Sequence, residues 1–495
     1  MNRSALSRRD LLKLLGIGTA SLSLPLNWHC RPGMDRPNFL FIFTDDQRFN
    51  TIHALGNTEV HTPHMDRLVR RGVSFTNAYI MGGNSGAVCM PSRAMLLTGR
   101  SLFRIERDGR HIPEDHVMMP EILKAEGYST FGTGKWHNGR DAFARCFSQG
   151  DEIFFGGMSD HWNVPVNEFD PTGRYETQVP FIPNAALSNK VDFRPWHHIP
   201  EGKHSSELFA DSVVDFIKKY DSPDPFFVYT SFTAPHDPRS APPEFMEMYD
   251  PKNIQFPPNF LPVHPFDNGE LKVRDEMLAS FPRTKQEVSR HIAEYYGIIS
   301  HLDSQVGRIL DALESSGQAD NTYIIFAADN GLALGQHGLM GKQNVYDHSV
   351  HVPLIFSGPG LPQGERRDAL CYLFDIFPTV CEIGKLPCPP SVEGKSLIPL
   401  IQNAELEGRE ALIFAYKDYQ RGLRTRRWKL IQTNVVGSKH TQLFDMEKDP
   451  FEMDDLAGNP EHQARIKELS EMLQSMMSAE GDSVRLDQQE WGIKS

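Results

Sequence analysis

Two acidic pairs and one cysteine stand out as the residues best equipped to do chemistry. Asp45 and Asp46 close the apolar run NFLFIFTDDQR, and Asp329 and Asn330 close a second run of the same make, TYIIFAADNG. Each pair alone reads equally well as a turn, because Asp and Asn favour turns and caps. Two separate runs ending alike are harder to assign to turns. Carboxylates brought together without a cation repel one another and lose hydration, so a metal is the simpler explanation. Hard oxygen donors with no nearby Cys or His pair suit Ca2+ or Mg2+ rather than zinc.

The cysteine is Cys89, in CMPSRAMLLTGR, after a Gly/Asn/Ser-rich stretch. A free thiol is most often a small buried hydrophobe, and its neighbours argue otherwise. Pro91 favours the first turn of a helix, which puts Cys89 just outside an amino end where unpaired N–H groups and the dipole attract negative charge. Arg93, one turn along, can reach back to the same point, and an anion is expected there. The six cysteines (Cys30, Cys89, Cys146, Cys371, Cys381, Cys388) contain no CxxC pair and are not a disulfide framework. A bridge from Cys381 to Cys388 is possible, but nothing in the sequence demands it.

These residues need a frame. NFLFIFT, TYIIFAA and PFFVYTSFTAPH are apolar runs too short for helices, and they end in Asp45 and Asp46, Asp329 and Asn330, and His236 respectively. They read as buried parallel strands. Ligands of open α/β sheets bind beyond the carboxyl ends of the strands, so one shared site is expected. Helical segments lie between them. HIAEYYGIISHLDSQVGRILDALESSG carries a broad apolar face from Ile292 to Leu313, TPHMDRLVRRG starts with a Thr62/Pro63 cap, and MMPEILKAEG precedes the strand YSTFGTG. The fold expected is α/β, a large mostly parallel sheet sandwiched by helices. Residues 140–205 and 237–285 lack periodicity and read as ordered loops shaping a pocket. After residue 400, short antiparallel strands and a closing helix predict a smaller C-terminal α+β subdomain over 401–495, behind a catalytic domain spanning 34–400.

The formal net charge of −13 over 495 residues, with no basic block outside the extreme N-terminus, argues against a nucleic-acid partner. SRRDLLK followed by LLGIGTASLSLPL has the form of a twin-arginine signal peptide covering residues 1–33. Its apolar part is too short to span a bilayer, so no transmembrane domain is expected. Export by the twin-arginine machinery to the periplasm or beyond is expected, and Cys30 is a weak candidate for lipid anchoring.

The frame C-x-P-S-R followed by AMLLTGR resembles the signature of the type I sulfatases, of the alkaline phosphatase superfamily. The likeness continues through EILKAEGYSTFGTGKWHNG, APHDP, FAADNG and GQHGLMGKQNVYDHSVHVPLIFSGPG, from Asn38 to Leu456. It implies that a formylglycine-generating or sulfatase-maturing enzyme oxidises Cys89 to Cα-formylglycine, whose hydrate is the nucleophile. It also implies one Ca2+ per chain, held by Asp45, Asp46, Asp329, Asn330 and the modified Cys89. By the same likeness Arg93 holds the hydrate, Lys135 and His137 bind hydrate and sulfate, His236 lies near the leaving oxygen, and Lys342 also clamps the sulfate. The second hydroxyl of the diol then collapses to the aldehyde and expels sulfate.

One departure from the pattern is HVP, His351 to Pro353, where relatives commonly carry Arg-Val-Pro. This leaves the chemistry intact but weakens transfer of specificity, while His348 and His351 are added near the pocket. Aromatic and polar loops, including FFGGMSDHWNVPVNEFDPTGRY, suggest a sulfated polysaccharide or oligosaccharide as substrate. An arylsulfatase, a phosphonate monoesterase or phosphodiesterase on the same machinery, and a non-catalytic carbohydrate-binding relative are the alternatives. Intact Cys89, Pro91 and Arg93 oppose the last.

Overall fold

The computed structural model describes residues 36–184, 186–488 and 491. The twin-arginine segment and Cys30 lie outside these residues. No helix among the described residues is long and apolar enough to cross a membrane.

The large sheet is built from β1 (Asn38–Thr44), β2 (Gly72–Phe75), β3 (Ser129–Lys135), β4 (Gln149–Phe154), β5 (Phe226–Ser231), β6 (Thr322–Ala328), β7 (Leu354–Ser357) and β8 (Glu365–Arg367). Its order is β8-β2-β7-β6-β1-β5-β3-β4. β6, β1, β5, β3 and β4 run parallel, and β7 is antiparallel to both of its neighbours. The three runs that end in polar residues are therefore the adjacent strands β6, β1 and β5 at the sheet centre. Every residue of β1 is buried because both faces are covered. Phe39, Phe41 and Phe43 pack into one apolar cluster, while Leu40 and Ile42 enter another on the opposite face.

On the Leu40 face lie α1 (Pro63–Arg71), α5 (Ser205–Lys219) and α6 (Lys285–Ser315). On the Phe39 face lie α2 (Cys89–Thr98), α3 (Met119–Ala125), α4 (Arg140–Cys146) and α7 (Ile376–Gly384). α6 buries the stripe its sequence spacing predicts, from Ile292 through Leu313, and Thr284 caps its start by accepting the Glu287 N–H at 3.2 Å. The Thr62 side chain does not cap α1; instead Asp303 of α6 accepts the His64 and Met65 N–H groups at 3.1 and 2.7 Å.

The C-terminal strands β9 (Ala411–Tyr416), β10 (Gln420–Thr425), β11 (Trp428–Val435) and β12 (Ser438–Asp445) form an antiparallel meander, followed by α8 (Gln463–Glu480). A fifth strand, Gly82–Gly83, runs parallel to β9. A Cβ on Gly82 would lie 2.0 Å from the Ala415 carbonyl oxygen at a backbone φ of +108°, so only glycine allows this approach. The C-terminal sheet thereby grips the segment that leads into Cys89. The stretch 140–205, expected as loop, is partly regular: α4 and the edge strand β4 occupy its beginning. Cys381 and Cys388 are free thiols, unbridged.

Candidate active site

The carboxyl ends of β1, β5, β3 and β6 converge, and α2 points its first residues at them. α2 begins on Cys89 itself, one residue earlier than Pro91 suggests, and the Ser92 hydroxyl donates to the Asp329 carbonyl at 2.6 Å, which pins helix to strand end. Arg93 is fully enclosed and faces the Phe43 ring. Its guanidinium meets Asp329 Oδ2 from Nε and Nη2 at 3.0 and 2.9 Å, the Lys135 carbonyl at 3.0 Å, Ser231 Oγ at 2.5 Å and Asp45 Oδ2 at 3.4 Å. Five such contacts from one planar fork are beyond the reach of a lysine.

Lys135 closes an ion pair on Asp45 Oδ2, and its Nζ lies 3.6 Å from Cys89 Sγ. His137 Nδ1 is 3.4 Å from the same sulfur. Lys342 Nζ stands 2.6 Å from Asp46 Oδ1, which also accepts the Asn330 amide at 2.7 Å. His236 donates from Nδ1 to the Asp237 carbonyl at 2.8 Å, leaving Nε2 turned toward Asp46 Oδ2 at 3.7 Å. Asp46 and His137 both adopt left-handed backbone, with φ of 64° and 71°. Strained positions of this kind cluster at functional sites.

Burial works against the charge of every group here, and the neighbours decide the outcome. Burial alone would raise Asp45, yet the charges of Lys135, His236, Arg93 and Lys342 hold it well below the usual carboxylate range. Asp329 goes the other way, pushed up to about 6 by burial and by the charge on Asp45. Lys342 keeps its proton against burial because Asp46, Cys89 and Asp45 surround it. Burial pushes the Cys89 thiol up, although Lys135 and Lys342 pull the other way. His137 is held neutral by burial and by the positive charges of Lys135 and Arg93.

Two oxygens of the cluster stand apart. Asp45 Oδ1 and Asn330 Oδ1 are buried with no hydrogen-bond partner. Ligand atoms of Asp45, Asp46 and His236 lie within 4.8 Å of one another, as do those of Asp45, Cys89 and Asp329. Unpartnered buried oxygens are costly, and two of them among crowded carboxylates fit a hard divalent cation.

The candidate catalytic and metal-ligating residues read from the sequence meet at this one place; the His348 and His351 side chains do not join them. His351 is stacked between Phe49 and Tyr79, with centroids 3.7 and 4.6 Å away, and its Nε2 donates to the Thr76 carbonyl at 2.8 Å. Its ring is held by packing. His348 is buried beside Tyr346 and His337. Two further residues, in no sequence motif, complete the site: Ser231, which takes Arg93, and Tyr295, whose hydroxyl donates to the Asp46 carbonyl at 2.6 Å and accepts the Arg48 N–H at 2.9 Å. The available signal was a tyrosine on the apolar stripe of α6, since a buried hydroxyl needs a partner.

The sulfatase family model matches residues 37–385, and the model of the N-sulphoglucosamine sulphohydrolase C-terminal region matches residues 335–479. The chain belongs to the sulfatase family. It is a sulfuric ester hydrolase with the fold of the alkaline phosphatase superfamily. Among curated relatives of this sulfatase is the ulvan-active sulfatase of Formosa agariphila, 27% identical over 91% of this chain and 83% of that one. A solved structure in complex with its substrate, D-glucosamine-2-N,6-O-disulfate, superposes with a TM-score of 0.68 at 24% identity, over 90% of this chain and 99% of the other. The phosphonate monoester hydrolase of Agrobacterium radiobacter shares the fold with a TM-score of 0.70 at 21% identity, over 90% and 96%.

Proposed function

We propose that this sulfatase removes O-sulfate groups from a sulfated polysaccharide or oligosaccharide, using Ca2+ and a formylglycine made from Cys89. The observation that carries the reading is the pair of unpartnered buried oxygens, Asp45 Oδ1 and Asn330 Oδ1, beside a cysteine whose sulfur already touches Lys135 and His137. Asp45, Asp46, Asp329, Asn330 and the modified Cys89 would hold the cation, which when bound would neutralise negative charge on the sulfate oxygens. Hydrated formylglycine would supply the attacking oxygen and a second hydroxyl through which sulfate is released.

The chain's own groups account for the rest. Lys135 beside Asp45 and Lys342 beside Asp46 present ammonium groups to an anion, and Arg93 fixes Asp45 and Asp329. Neutral His137, with Nδ1 toward residue 89, can accept a hydroxyl proton there. His236 keeps Nδ1–H on a backbone carbonyl, so its Nε2 is the atom that carries a proton to the leaving alcohol oxygen. Cys89 is 2% exposed, so the maturing enzyme must reach it before folding is complete. Export through the twin-arginine route, which moves folded proteins, would place that step in the cytoplasm and the mature enzyme in the periplasm or outside.

The carbohydrate substrate is supported by the named activity of the ulvan-active relative and by the aminosugar disulfate bound by the structural neighbour. Mass analysis of the Cys89 peptide from active enzyme should show sulfur replaced by an aldehyde oxygen. A fully unmodified thiol in active protein overturns the mechanism. Turnover compared on sulfated oligosaccharides and an aryl phosphodiester tests the substrate class, and strong preference for the phosphodiester would move this chain to phosphonate and phosphodiester hydrolysis.

A further inference from the structure

Residues 156–163 follow the edge strand β4 and touch both histidines of the site from behind. Gly157 abuts His137: a Cβ there would stand 2.9 Å from Nε2 and 3.0 Å from Cε1 of that ring. Four residues on, His161 is buried at 2% exposure with both ring nitrogens engaged. Its Nε2 lies 3.0 Å from the carbonyl oxygen of His236. A carbonyl can only accept, so Nε2 carries the hydrogen and Nδ1 is left to accept. Nδ1 faces Ser205 Oγ at 2.7 Å and Thr233 Oγ1 at 3.2 Å, and these two hydroxyls are 2.9 Å apart. The Ser205 N–H returns to the His161 carbonyl at 2.7 Å, and the His236 N–H donates to the Thr233 carbonyl at 3.0 Å.

This closed circuit joins the loop after β4, the first turn of α5 and the segment after β5, and every member is buried. Burial pushes His161 down to about 4, so the ring stays neutral and its tautomer is set by the partners named above.

We infer that His161 is a positioning residue: it clamps the His236 carbonyl and so aims the His236 imidazole at the leaving-group oxygen. The loop is then a scaffold for the proton donor. The inference rests on the proposed role of His236.

The test uses two substrates that differ in their need for a proton. A sugar O-sulfate has a poor leaving group, whereas 4-nitrophenyl sulfate releases a stable phenolate unaided. His161→Ala should lower kcat on the sugar sulfate by about 30-fold or more and on the aryl sulfate by less than about 3-fold, given that positioned general acids contribute roughly 10²–10⁴. His161→Gln keeps an N–H near the position of Nε2 and should recover most of the loss. Both rates are measured on one preparation, so their ratio is independent of the fraction folded. His161→Asn, whose amide stops short of the carbonyl, replaces the alanine variant if that chain does not fold. Equal loss on both substrates, or no loss, overturns the inference when His236→Ala does show the selective loss. If His236→Ala shows no selectivity, the assigned role of His236 falls, and the inference falls with it.

Discussion

At the scale of single residues, the chemistry of the site is a balance between burial and neighbouring charge. Asp45 and Asp329 are both wholly buried carboxylates in contact with Arg93, yet their acidities are driven apart because Lys135 pairs with Asp45. The residues that carry these charges were legible because their spacing repeats at two strand ends and inside a specific cysteine frame. Tyr295 and Ser231 were not, since a lone hydroxyl in an apolar run has no pattern until its partner is known. Tyr295 holds the Asp46 carbonyl and with it the left-handed turn that aims the Asp46 carboxylate. If Asp46 binds Ca2+ as proposed, Tyr295→Phe is expected to raise the Ca2+ concentration for half-maximal activity by about 10-fold or more, in line with losses at groups that orient metal ligands. A calcium titration of activity checks this; an unchanged half-saturation point refutes it.

At the scale of elements, tertiary contacts replace local signals at two points. Gly82 and Gly83 carry no strand signature, yet they extend the C-terminal sheet and anchor the approach to α2. The amino end of α1 is capped by Asp303 from α6, although Thr62 has the residue type of a local cap. Burial pushes Asp303 up to about 7, against the two backbone donors. Its pKa is thus higher folded than unfolded, so the unfolded chain binds fewer protons between about pH 4 and 7, and this group's contribution to stability is lost as pH rises through that window. Asp303→Asn removes the titration while keeping an acceptor oxygen. Relative to the parent, the variant should gain about 2.5 kcal/mol of stability as pH rises from 5 to 7.5. Paired urea denaturation curves at the two pH values measure it, and a difference that stays constant refutes the assignment.

At the scale of the whole molecule, the burial of histidines, several of them outside the site, sets the acid limit. Burial pushes His161, His264 and His301 down to about 4, His337 to about 3 and His204 to about 2. Their pKa values are lower folded than unfolded. The unfolded chain takes up protons below about pH 6.5 that the folded chain refuses, so their contribution to stability is complete above that pH and lost as pH falls toward 4. Each such histidine adds roughly 1.4 kcal/mol per pH unit to the slope. Denaturation midpoints should fall steeply from pH 6.5 to 5, and a flat profile would contradict the burial of these rings as neutral groups. The sequence by itself determined the α/β class, the strand ends that carry the acidic pairs and the cysteine frame, because these are written in short-range periodicity and spacing. Tertiary structure alone decided that β6, β1 and β5 are neighbours, that Tyr295 holds Asp46, that His351 is packing and that His161 stands behind His236. Those facts depend on which distant segments meet, and residue type and local spacing are the same whichever way they do.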